Sequence, residues 1–224
     1  YLLAGGSTIA FAAGGVAGAL VALLLLWLLA GAGAGTATLI LAGVAVSALA
    51  GALTSLALSL APSPFALYDA FFWLLGGLQD RSLAHVAVAL PLIAAGVALI
   101  APQARHLDRL TLGEEVAQSL GTRLPRLRWA ILGGTALAVG GSVAVAGAIG
   151  FIGLVAPHLV RPLVGHRPAA TLLPAALAGA CLLLAADLAT RATPPGVELR
   201  LGVLTALIGA PFFLWLILKG RRHA

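Results

Sequence analysis

Charge is scarce in this sequence. Of 224 residues, 9% are Asp, Glu, Lys or Arg and 61% are apolar, and so little polar surface cannot cover a water-soluble globule. The formal net charge of +6 does not make the chain a nucleic-acid binder, because most arginines fall at the ends of apolar runs, which is a topological pattern. A single cysteine, Cys181 inside an apolar run, excludes an intrachain disulfide and reads as a small buried hydrophobe. Methionine is absent, even at position 1, and residues 1–30 lack the basic start of a cleavable signal. The chain therefore reads as the C-terminal part of a longer protein. No G-x-x-x-x-G-K-[ST] phosphate loop occurs, so ATP is not expected to bind here.

What is present is a succession of apolar runs of about 20 residues, the length that crosses a bilayer core as a helix. The runs are continuous where barrel strands would alternate. The expected fold is all-α: one polytopic transmembrane helical bundle over residues 1–224 with about seven spans, near 7–30, 38–60, 83–101, 129–146, 148–164, 171–189 and 201–218. The stretch 148–164 is glycine-rich and shorter than the rest. Between the second and third runs, the aromatic segment 68–75, which carries Asp69, reads as a short interfacial helix.

Residues 103–128 form a polar insert. If the insert is cytoplasmic, alternate threading puts ten of the thirteen Lys and Arg on that side, leaving Arg81, Arg191 and Arg200 opposite. The positive-inside rule selects this orientation, with an outside start and a cytoplasmic C-terminus. Within the insert, Thr111 and Glu114 have the T-x-x-E spacing of a capping box. Glu114 and Glu115 then suit the positive end of the helix dipole, and Gly121 suits a left-handed stop. Leu112, Gly113, Val116 and Leu120 complete the stretch, the three apolar residues at i, i+4 and i+8 forming one ridge. A solvated connector would carry charge too, but a docking element for a cytoplasmic partner explains the cap and the ridge together.

Other residues admit two readings each. Gly147, Gly150 and Gly153 recur every third position before Pro157, which suits close helix packing or a gate. His158 and Arg161 lie one turn apart; no Cys/His cluster accompanies them, so a histidine anchoring the loop is favoured over a metal ligand. Gly202, Thr205 and Gly209 in the last run, and Gly43, Ser47 and Thr54 in the second, make small, weakly polar stripes that could pack or line a route. Asp187 lies deep in an apolar run with Arg191 four residues on, a structural pair or, as a rival, the titrating group of an ion-coupled secondary transporter. Ser142 with His158 would serve an intramembrane hydrolase, but the G-x-S-x-G elbow is lacking. Asp69, Asp80, Glu198 and Arg200 fall on the outer side, either solvated or facing a docking partner.

The segment LTLGEEVAQSLGTRLPRLR resembles the coupling-helix region of permease subunits of ATP-binding-cassette importers for iron-siderophore, haem and vitamin B12, the FecCD family. The pattern G-x-x-G-F-x-G-L-x-x-P-H-x-x-R, met as Gly147, Gly150, Phe151, Gly153, Leu154, Pro157, His158 and Arg161, resembles that family's most specific motif. The resemblance covers nearly the whole chain and implies the last seven of about ten spans. It further implies a homodimer of permeases, two cytoplasmic ATP-binding-cassette subunits carrying the ATP and Mg, a periplasmic or lipid-anchored binding protein, and a bacterial inner membrane location. It sets the second and last spans along the translocation route. One departure is Glu198-Leu199-Arg200, where the family usually has E-L-P. A cysteine placed at Gln118, with Cys181 replaced by serine, is expected to react with impermeant thiol reagents from the cytoplasmic side only.

Overall fold

A computed structural model describes residues 8–30, 35–194 and 199–221. Among these every regular element is a helix, as a chain in hydrocarbon requires, since lipid offers no partner for a free N–H or C=O. In chain order they are α1 (Thr8–Ala30), α2 (Thr36–Ser59), α3 (Pro64–Leu74), α4 (Leu83–Ile100), α5 (Ala104–Leu110), α6 (Glu114–Ser119), α7 (Leu124–Ala146), α8 (Ile152–Val160), α9 (Pro168–Arg191) and α10 (Leu201–Arg221). Short 3-10 turns continue α4 over Ala101–Gln103 and α8 over Arg161–Val164. Among the described residues four helices are long and apolar enough to cross a membrane: Ala37–Ser59, Leu83–Leu110, Leu124–Ala146 and Pro168–Arg191. Their outward faces carry bulky apolar side chains such as Leu41, Leu90, Val139 and Leu173, a surface suited to lipid and not to water. Cys181, expected to be buried, is instead exposed on α9, a small apolar side chain on that outer face.

The helix ends follow local chemistry. Ser63 accepts a hydrogen bond from Ala66 N–H at 3.2 Å and Pro64 follows at the first helical position, where its missing N–H costs nothing. That opens the interfacial helix α3 earlier than its aromatic centre suggests. Pro125 has the same effect on α7, which starts at Leu124, ahead of the expected 129, and takes Arg126 and Arg128 into its first turns. The run 148–164 is helical only from Ile152; a nine-residue helix rises about 14 Å, short of a crossing by itself.

The helices gather into two compact units that alternate along the chain. One comprises Tyr1–Phe72, Arg81–Gln103 and Gln118–Val145; the other comprises Trp73–Asp80, Ala104–Ala117 and Ala146–Ala224. In the first, α1 packs on α2 and α4, and backbones approach closely at glycines. A Cβ on Gly96 of α4 would collide with the Gly134 carbonyl of α7, and one on Gly134 would lie 2.7 Å from the Gly96 carbonyl. Gly141 faces Leu92 in the same crossing, and Gly15 of α1 faces Ala144 of α7. Trp27 and Trp129 meet with ring centroids 5.7 Å apart. In the second unit α9 is the hub, packing against α8, α5 and α10.

Because both partners at the α4–α7 crossing are backbone, Gly96→Ala should force these helices apart and cost about 1–3 kcal/mol, read as a lower unfolding temperature in detergent. Gly133→Ala, where a Cβ meets open space, should leave it unchanged.

Candidate functional site

The polar insert is built as two short helices joined by a tight turn. At the end of α5 the Thr111 hydroxyl donates to the Asp108 carbonyl at 2.7 Å, and the N–H groups of Thr111, Leu112 and Gly113 reach the carbonyls of Asp108, Arg109 and Leu110. These bonds satisfy the carbonyls a helix end leaves open. The expected box between Thr111 and Glu114 is therefore replaced: Thr111 closes the helix behind it, and Gly113, at φ +100, precedes the first residue of α6. Glu114 and Glu115 occupy that helix's first turn, where the dipole favours them. Gly121, at φ +84, ends the segment in the left-handed conformation. Leu112, Val116 and Leu120 are 61%, 45% and 50% exposed while Ala117 is wholly buried. The short helix thus turns Ala117 inward and Val116 outward, while Leu112 and Leu120 stand out in the turns before and after it, so the expected ridge is not one continuous helix face: α6 spans only Glu114–Ser119.

Asp108 joins this insert to a distant helix. One carboxylate oxygen accepts from Ala169 N–H at 2.8 Å and the other from the Arg167 guanidinium at 3.3 Å. Nothing in the local spacing announces this, because the partners stand 59 and 61 residues away.

A second feature of the same unit is a junction of main chains. Gly76 at the end of α3, Gly147 after α7 and Gly202 in α10 press together: a Cβ on Gly147 would collide with the Trp73 carbonyl, and one on Gly202 with the Leu75 carbonyl. Gly77 N–H donates to Ala146 O at 2.8 Å and Gly202 N–H to Leu75 O at 3.0 Å. These contacts supply partners for the non-helical backbone that leads into α8. Phe151 caps α8 at φ +66, a region unusual for a bulky residue. Its side chain lies against Gly209, where a Cβ would collide with it. Gly150 and Gly153 face open space.

The remaining candidate residues fall as follows. Thr205 is buried, its hydroxyl on the Gly202 carbonyl at 3.1 Å, so the stripe Gly202, Thr205 and Gly209 turns into its own unit. In the other unit, Gly43 and Ser47 line an apolar groove of about 500 Å³ between α1, α2 and α7. Thr54 is exposed, its hydroxyl on the Ala50 carbonyl at 2.8 Å. His158 stacks edge-on against Phe213 with ring centroids 5.8 Å apart, beside Pro157 within α8. Arg161 is exposed and its carbonyl accepts from His166 N–H. Asp187 and Arg191 form the expected pair at 2.8 Å. Ser142 donates to the Ala138 carbonyl at 2.7 Å. Asp69 and Asp80 are exposed, Arg200 is half-buried with its carbonyl accepting from Val203 N–H at the start of α10, and Glu198 lies outside the described residues. Among the described residues no group of three His, Cys, Asp or Glu could hold a metal ion.

A polytopic helical bundle with a polar two-helix insert and a broken, glycine-held span is the architecture of a membrane transport permease. The chain belongs to the FecCD transport family, which it matches over residues 1–219. It is 42% identical over 182 residues to the Fe(3+) dicitrate transport system permease protein FecD of Escherichia coli, covering 81% of this chain and 56% of that protein. It is also 42% identical to the hemin transport system permease protein HmuU of Yersinia pestis, covering 82% and 55%. To the vitamin B12 import system permease protein BtuC of Vibrio cholerae it is 39% identical, covering 95% and 64%. A solved structure of a transporter described as of the metal-chelate ABC type, in an inward-facing conformation, matches with a TM-score of 0.78 and 31% identity, covering 88% of this chain and 64% of that one. The chain thus spans between about half and two thirds of the length of these relatives.

Because Gly209 meets a side chain and not a carbonyl, its clash can be relieved. Gly209→Ala should destabilise the protein by about 1–3 kcal/mol. Adding Phe151→Gly, which suits the left-handed position, should recover part of that loss in a double-mutant cycle on unfolding.

Proposed function

We propose that this chain is the transmembrane permease subunit of an ATP-binding-cassette importer, moving a ferric-siderophore, haem or cobalamin-type cargo inward by alternating access. It works as one permease domain, as a homodimer, with two cytoplasmic ATP-binding-cassette subunits binding the ATP and Mg, and with a periplasmic or lipid-anchored protein delivering cargo. The relatives named for ferric dicitrate, hemin and vitamin B12 support that cargo class.

The observation that carries the reading is the insert. Val116 stands out of α6, which positive-φ glycines Gly113 and Gly121 brace on both sides, and Leu112 and Leu120 stand out of the turns that flank it; exposed apolar groups on polar segments serve as docking surfaces. Closure of the ATPase pair would push α6 and shift the unit behind it as a rigid body. The Trp27–Trp129 contact supports the orientation: the end of α1 and the start of α7 share one level, as threading with a cytoplasmic insert and C-terminus in the inner membrane demands, and tryptophan collects at that interface. Gly43, Ser47 and Thr54 suit the cargo route. Gly202, Thr205 and Gly209 suit a gate in which Phe151, set by the Gly147–Arg161 motif, moves on α10. Asp69, Asp80, Glu198 and Arg200 suit docking of the binding protein.

The rival readings draw less support. Asp187 already holds Arg191, which suits a structural pair better than an ion-coupling group, and the Ser142 hydroxyl is engaged with backbone, away from a nucleophile's task.

Replacing Glu114 and Glu115 together with lysine should lower uptake by roughly tenfold or more through charge reversal at the docking face. Membrane insertion should be unchanged, since neither residue lies in a span. Uptake and ATPase stimulation equal to the unaltered protein would remove the insert from the mechanism.

A further inference from the structure

One carboxylate fastens together two segments far apart in the chain. Arg167 is the cap residue of α9 but makes no side-chain cap bond, and Pro168 follows with no N–H. Ala169 therefore offers the helix's first donor, and Asp108 of α5 accepts it at 2.8 Å: the start of α9 is capped from another element. The accompanying ion pair to Arg167, whose side chain is 74% exposed, adds little. The Asp108 side chain itself is only 24% exposed, so water competes weakly for it. At the same residue the main-chain carbonyl accepts both the N–H and the hydroxyl of Thr111, which fixes the turn into α6. The docking helix thus hangs from the backbone of Asp108, and α9 from its side chain.

We propose that Asp108 is the positioning residue that makes α5 and α9 one lever, so that a push on α6 is delivered to the start of α9. From there it passes through the packing of α9 on α8 and α10 to the Phe151–Gly209 contact. The inference rests on the permease reading above. α5 is the polar end of the helical run Leu83–Leu110, set off from α4 by the 3-10 turn Ala101–Gln103, a change of bond pattern at which a helix can bend. Without an anchor α5 would absorb a push by bending there or by swinging about Gly113. The bond to Ala169 removes that freedom at the point where the strain would arrive.

The test uses the assembled transporter in proteoliposomes, with its ATPase and binding protein. Spin labels replace Arg105 on α5 and Ala170 on α9, with Cys181→Ser in all samples. Their separation should stay constant to about 2 Å between the nucleotide-free and ATP-trapped states, because the two helices move as one body. Asp108→Ala should broaden or shift that distance and lower cargo moved per ATP hydrolysed by at least about fivefold, the lower range of allosteric couplings, while the ATPase subunits still co-purify. Asp108→Asn, which keeps an acceptor oxygen for Ala169, should retain the distance and most of the coupling. A nucleotide-dependent change of separation with Asp108 intact would overturn the proposal, and decides it even if the alanine variant fails to fold. Unchanged distance and unchanged coupling in Asp108→Ala would overturn it equally. Absence of the ATPase from the purified, unaltered protein would instead sink the permease reading beneath it, an outcome visible before any label is attached.

Discussion

Helices in lipid gain little from the hydrophobic effect when they associate, since a lipid tail is as apolar as a leucine; what holds them is close contact between backbones. That constraint shapes this protein. In one unit α4 and α7 meet carbonyl to glycine at Gly96 and Gly134, and in the other the ends of α3 and the starts of the broken span and α10 meet at Gly76, Gly147 and Gly202. Large apolar side chains, freed from making a core, are turned outward along most of the helices. The core that remains is small: alanines, glycines and threonines, with a few leucines at Leu124, Leu127 and Leu201.

The same scarcity of buried bulk explains why the polar insert is held by hydrogen bonds. The six-residue α6 has neither the length nor the apolar area to stabilise itself, and α5 before it is the polar end of the run Leu83–Leu110. They are fixed by Thr111 on the Asp108 carbonyl, by glycines at both ends of α6, and by the Asp108 carboxylate on α9. The outcome is a rigid ledge whose exposed face, Leu112, Val116 and Leu120, is left available for contact. Rigidity and exposure together are what the proposed coupling role would need, because a ledge that yields stores a push and does not pass it on.

The spans were readable because bilayer thickness dictates their length and hydrocarbon dictates their composition. The positions of α2, α4, α9 and α10 follow the hydropathy closely, and Gly121 does stop its helix with φ +84. What escaped the sequence depends on partners elsewhere in the chain or on choices between equal local options. The spacing from Thr111 to Glu114 permits a capping box, but a hydroxyl at a helix end can serve the helix before it as well as the one after, and here the first claimed it. The stripe of Gly202, Thr205 and Gly209 shows which face of α10 is narrow without showing that Phe151 fills it. Asp108 carries no local signature, since its cap acts across 61 residues.

The bond between Asp108 and Ala169 also constrains how the chain is laid through the bilayer. Two groups at 2.8 Å share one face of the membrane, so the stretch between them must cross an even number of times. Whatever path the intervening residues take, it must return the start of α9 to the level of α5, because a carboxylate caps only the amide it can touch.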